Sequence, residues 1–128
     1  MNLEENIRIL LVDNDASVRK RLRVLLGSVP KFEIVGEAEN GKLAMELTRK
    51  LLPDIVIMDI DTPAMNGIEA TRWIALVSPD IKVIAYTSLD DEIRMMVESG
   101  ATEPIYRFCG DKEIVSTIKS LFESQMRS

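Results

Sequence analysis

Five short runs rich in apolar and β-branched residues punctuate the 128-residue chain. They are Ile7–Val12, Glu33–Glu37, Asp54–Asp59, Lys82–Thr87 and Pro104–Phe108, and each predicts a β-strand. Between them apolar residues recur three and four apart, the spacing that lines one face of a helix. Val18, Leu22, Leu25, Leu26 and Val29 form the first such set, and Leu43, Leu47 and Leu51 the second. Ile68, Thr71, Ile74 and Ala75 follow, then Ile93, Met96 and Val97, and last Ile114, Val115, Ile118, Leu121 and Phe122. Pro30, the Glu39–Gly41 turn, Pro53, Pro79 and Gly100 fall between elements, and Asp111 is placed to cap the last helix.

Strict alternation of strand and helix predicts a parallel sheet with helices on both faces, because right-handed crossovers put them there. The runs "RILLV" and "DIVIM" are apolar without alternation, as strands covered on both sides must be. The expectation is a three-layer α/β fold, a five-stranded parallel sheet with five helices, in one domain over 1–128 with a core at about 7–125. Open sheets of this kind bind ligands beyond the carboxyl ends of their strands. Chemistry should therefore gather where the strands end.

Composition narrows the choice. A net charge of −5 argues mildly against a nucleic-acid surface on this chain. The single cysteine, Cys109, rules out an internal disulfide and fits a reducing compartment. The absence of histidine removes imidazole zinc sites, His-based triads and His proton shuttles. No apolar run is long enough to span a bilayer. These features together predict a cytoplasmic protein without a membrane segment.

The first strand ends in Asp13-Asn14-Asp15, the third in Asp59 with Asp61 following, the fourth in Thr87-Ser88, and the fifth carries Arg107. Carboxylates clustered in one crevice are costly unless a cation neutralises them, and a hard divalent ion such as Mg²⁺ suits oxygen donors. An acid held there can attack phosphorus and form an aspartyl phosphate. A hydroxyl (Thr87) and a cation (Arg107) would then serve the phosphoryl oxygens. Taken singly, these residues have plainer readings. Asp15 suits a helix N-cap, Asp61 a loop acid, Thr87 a strand end, and Arg107 an ion pair. The basic run "VRKRLR" (Val18–Arg23) reads as the solvated face of an amphipathic helix. Met95, Met96, Pro104 and Tyr106, where exposed, would make an adaptable apolar patch for a partner or a homodimer.

The segment "PDIVIMDIDTPAMNGIEA" resembles the phosphorylation segment of two-component response-regulator receiver domains. The resemblance runs from "ILLVDND" through "GEAENGKLAMEL" and "VIAYTS" to "SGATEPIYR", and is strongest to receivers that precede a helix-turn-helix output domain. It implies a flavodoxin-like sheet of order 2-1-3-4-5. By position Asp59 matches the phosphoacceptor and Thr87 the switch hydroxyl. Asp13 and Asn14 match the acidic pair that binds Mg²⁺, and Asp61 supplies a main-chain carbonyl. The implied function is a Mg²⁺-dependent phosphorelay receiver, fed by a histidine kinase or phosphotransfer protein that docks at the first helix. Such a receiver is not an enzyme beyond slow self-phosphorylation and self-dephosphorylation. It switches a partner or a DNA-binding output domain through the face of the fourth helix, fifth strand and fifth helix.

Four departures stand against that pattern. Asn14 gives up a negative charge, Arg107 replaces a lysine with a larger planar cation, Phe108 replaces a proline, and Pro104 takes the place of the aromatic switch residue. Tyr106, two residues along on the same strand face, is the candidate substitute. These departures motivate an alternative, a phosphorylation-independent pseudo-receiver that acts only by binding. "DIDT" (Asp59–Thr62) also resembles the Asp-x-Asp start of haloacid-dehalogenase-type phosphatases. In that family the motif lies on the first strand, with Thr or Val where Pro63 stands.

Overall fold

The computed structural model describes residues 6–59, 67–87, 98, 100, 103–106 and 110–127, with the backbone alone at 87, 103–106 and 123–127. In chain order the elements are β1 (Ile7–Val12), α1 (Ala16–Gly27), β2 (Phe32–Ala38), α2 (Gly41–Leu51), β3 (Ile55–Met58), α3 (Gly67–Val77), β4 (Lys82–Thr87), β5 (Glu103–Tyr106) and α4 (Asp111–Arg127). The strands form one sheet of order β2-β1-β3-β4-β5, parallel at every pairing. The predicted helix around Ile93, Met96 and Val97 lies outside the described residues, as do Phe108 and Cys109.

Why the strands lack polar alternation is visible in the two cores they separate. On one face Ile7, Ile9 and Leu11 of β1, Ile55 and Ile57 of β3, and Ile84 and Tyr86 of β4 meet Leu22 and Leu26 of α1 and Ile114 and Ile118 of α4. On the other, Leu10 and Val12, Val56 and Met58, and Val83 and Ala85 meet Ala44 of α2 and Ala70 and Ile74 of α3. Alternate residues of one strand serve opposite cores, so the buried stretches Ile9–Val12, Ile55–Met58 and Val83–Ala85 are apolar on consecutive residues. Each fully buried Leu or Ile contributes about 1.5–3 kcal/mol.

The helix ends follow local chemistry. Asp15 caps α1, its carboxylate accepting from the Ser17 amide at 2.9 Å. Asn40 caps α2 through the Leu43 amide at 2.8 Å, which satisfies a donor that a helix start leaves open. At the far end of α2, Leu52 takes a left-handed conformation (φ 48°, ψ 61°) and its amide bonds the Thr48 carbonyl. Arg8 of β1 covers the neighbouring Leu51 and Leu52 carbonyls at 2.6 and 2.9 Å. A cation at a helix C-terminus suits both the open acceptors and the dipole.

One sequence expectation needs correction. Asp111 opens α4 rather than capping it: the amides of Glu113 and Ile114 bond the Gly110 carbonyl, so Gly110 holds the cap position. On α2 the buried residues are Gly41, Ala44 and Thr48. Leu43 and Leu47 are only partly buried against that core. Small residues let α2 approach the sheet more closely than a leucine stripe would, and Leu47 and Leu51 close instead over Gly36 of β2.

The β1–β2 pairing holds one irregularity. Ile9 pairs with Ile34, but Leu10 pairs with Gly36, leaving Val35 as an extra residue in β2. The insertion is a β-bulge, and it reverses which face each later residue of β2 presents.

Candidate functional site

β1 and β3 are adjacent, and their last paired residues are Val12 and Met58. The next residue of each strand is an aspartate. The Asp59 amide bonds the Val12 carbonyl at 2.9 Å, which carries the parallel pairing one step past the strand end. Asp13 and Asp59 thus stand on neighbouring strands, whose spacing is about 4.8 Å, at the carboxyl edge of the sheet. They are 2% and 4% exposed, the two buried carboxylates of the described residues. Such groups are expensive to bury without compensation.

Asp13 is held at three points. Its amide bonds the Ala38 carbonyl of β2 at 3.0 Å. Its Oδ1 accepts the Asp15 amide at 2.9 Å. Its main-chain carbonyl accepts Nη1 of Arg19 at 2.6 Å. Arg19 also donates from Nε to Oε1 of Glu37 at 3.3 Å, and Glu37 receives Arg23 as well. Asn14, between the two aspartates, is exposed.

Asp15 has the plainer of its two readings. Besides capping α1 through the Ser17 amide, its carboxylate accepts the Ser17 hydroxyl at 2.6 Å. Among the described residues no group of three or more His, Cys, Asp or Glu gathers in metal-binding geometry. The donors brought together there are the two buried carboxylates, and Asn14 follows Asp13 directly in the chain. Asp61 and Arg107 lie outside the described residues. Thr87 is the last residue of β4 and pairs with Tyr106 of β5, and Pro104 pairs with Ala85.

Of the basic run, Lys20, Arg21 and Arg23 are exposed as the sequence predicts, but Arg19 is not a solvated charge: its side chain is 18% exposed. Sequence reasoning passes over Arg19 and Glu37 because the face that Glu37 presents depends on the bulge at Val35. Regular alternation from Phe32 and Ile34 would turn Glu37 away from α1. Arg21 reaches Tyr86 on the same face of the sheet, its Nη2 donating to the phenol oxygen at 2.5 Å. Trp73 packs, partly buried, against the α2–α3 core.

Comparison with known proteins gives one consistent family. Residues 9–119 match the model of the response regulator receiver domain. The chain is 32% identical over 118 residues to the transcriptional regulatory protein DegU of Brevibacillus brevis, covering 91% of this chain and 50% of that one. It is 34% identical over 122 residues to the response regulator GacA of Pseudomonas aeruginosa, covering 93% and 56%. The chain therefore spans about half the length of these relatives. Among solved structures, a LuxR-family two-component response regulator from Aurantimonas sp. superposes with a TM-score of 0.87 at 30% identity, covering 94% of this chain and 87% of that one. The response regulator domain of Thermotoga maritima CheB gives 0.82 at 29%, covering 97% and 98%. Among the described residues no helix is long and apolar enough to cross a membrane.

Proposed function

The chain belongs to the response regulator receiver family, and from that premise we propose that it is a Mg²⁺-dependent phosphoryl switch centred on Asp59. One observation carries the reading: Asp13 and Asp59 are buried side by side at the carboxyl edge of the sheet. Receiver domains of this family bind Mg²⁺ at the phosphorylation site. Here a pair of buried carboxylates, followed in sequence by a residue whose amide offers a further oxygen, fits a hard, oxygen-seeking divalent ion better than a soft metal. Asp13, Asn14, Asp59 and the main-chain carbonyl of Asp61 would hold it. When bound, the ion neutralises charge on the transferring phosphoryl group.

The chain's own groups do the rest. A carboxylate oxygen of Asp59 forms the new P–O bond as the P–N bond of a phosphohistidine breaks. The imidazole departs with the electron pair and takes up a proton. The Thr87 hydroxyl and the Arg107 guanidinium each donate to a phosphoryl oxygen. With no histidine in this chain, the donor histidine belongs to a partner, a histidine kinase or a phosphotransfer protein. The reaction is placed in the cytoplasm. DegU is named as a transcriptional regulator, which supports a DNA-binding output domain as the element switched, with a homodimer as an accompanying state.

The test is direct. Incubation with Mg²⁺ and acetyl phosphate is expected to add one phosphoryl group by intact mass, lost in Asp59→Asn. Beryllofluoride should give a Mg²⁺-dependent change in Trp73 fluorescence. A folded wild-type protein that gains neither at tens of millimolar Mg²⁺ is a pseudo-receiver. Steady turnover of unrelated phosphoesters would instead make it an enzyme.

A further inference from the structure

Arg19 lies against the acid site without being one of its donors. Its guanidinium fork spans two partners: Nη1 holds the Asp13 carbonyl at 2.6 Å and Nε holds Glu37 at 3.3 Å. The Asp13 carbonyl is one end of the Asp13–Asn14 peptide plane. Turning that plane would swing both side chains that flank it. The opposite edge of Asp13 is already fixed, since its amide bonds Ala38. Glu37 is about a quarter exposed and takes a second guanidinium from Arg23. It is therefore a well-anchored base for Arg19.

We infer that Arg19, braced by Glu37, is a positioning residue for the metal site: it locks the Asp13–Asn14 peptide so that both side chains face Asp59. The inference rests on the reading that Asp13, Asn14 and Asp59 hold Mg²⁺. It gains weight from Asn14, because a neutral amide attracts the ion less than a carboxylate and depends more on being aimed beforehand. Partners that orient metal ligands in this way commonly account for tenfold or more in affinity.

The sign of the effect separates positioning from charge. A guanidinium near a cation site repels the cation, so if charge dominated, removing Arg19 would tighten binding. If positioning dominates, the same change loosens it. Arg19→Met keeps the length of the side chain and removes both donors. Mg²⁺ titration of the folded protein, followed by the Asn14 amide resonance, is expected to show about tenfold weaker binding in Arg19→Met. Glu37→Gln, which weakens the brace, should show a smaller loss in the same direction. Arg19→Lys should fall between, since an ammonium cannot span both partners as a fork. In the metal-free protein the Asp13 carbonyl ¹³C resonance should move in Arg19→Met.

Unchanged or tighter binding in folded Arg19→Met overturns the inference and leaves the metal site standing. Were that variant not to fold, Glu37→Gln decides by the same criterion. A wild-type protein with no Mg²⁺-dependent shift overturns the metal-site reading, and this inference with it.

Discussion

Arg21 on the surface of α1 donates a hydrogen bond to the hydroxyl of Tyr86, whose ring is 1% exposed in the core beneath. By extension of the β3–β4 register, Tyr86 stands beside Asp59 on the sheet. Arg21 also lies 3.9 Å from Asp111 at the start of α4. With Arg21 about half and Asp111 about two-thirds exposed, that ion pair is worth little. The phenol bond is the stronger tie between helix and sheet. Tyr86→Phe keeps the ring packed, so we expect a loss of about 1 kcal/mol by urea unfolding. Tyr86→Ala should cost about 3–5 kcal/mol, because it also opens a cavity.

Asn14 is exposed beside two buried carboxylates, so its charge can be changed without disturbing packing. Asn14→Asp should strengthen Mg²⁺ binding by about 1–2 kcal/mol, roughly 5- to 30-fold. Without the ion, the added negative charge should lower the melting temperature, and Mg²⁺ should restore it. Melts with and without Mg²⁺ test both halves.

Asp15 separates a cap from a ligand. With its carboxylate bonded to the amide and hydroxyl of Ser17, Asp15→Ala should lose about 1 kcal/mol of stability. Asp15→Ser should recover most of it. Mg²⁺ affinity should stay within about twofold, well short of the loss expected on removing a ligand.

Gly100 has φ 117°, and a Cβ added there would lie 2.6 Å from the Cβ of Ala75 on α3. Gly100→Ala should therefore cost about 2 kcal/mol or more, from overpacking and backbone strain together. The double variant Gly100→Ala, Ala75→Gly should return only the steric share. Denaturant unfolding of the three variants gives the split.

What the sequence revealed and what it hid have physical causes. Alternation of strand and helix, with the central strands apolar on consecutive residues, is enough for the parallel sheet and its helical layers. The carboxyl-edge rule then drew attention to Asp13 and Asp59, which the structure brings together. Leucine spacing finds α2 because it reports hydrophobicity, and Leu43 and Leu47 do pack against that core. How closely a helix lies on a sheet is set instead by its small residues, here Gly41, Ala44 and Thr48. Leu52 ends that helix in a left-handed conformation that sequence rules reserve for Gly or Asn. The Arg19–Glu37 brace was hidden more deeply. Nothing in a count of apolar positions announces one residue inserted in β2.

That inserted residue lets β2 lose one position and keep its faces. Val35 is the odd residue that turns Glu37 back towards α1, where Arg19 and Arg23 reach it. Substitutions at Val35 change only a half-buried side chain. Deleting it would leave Ile34 opposite Ile9 and Gly36 opposite Leu10 in an unbroken ladder, with Glu37 still opposite Leu11 on the α1 side. One codon lost at this bulge would straighten β2 and leave Glu37 within reach of Arg19.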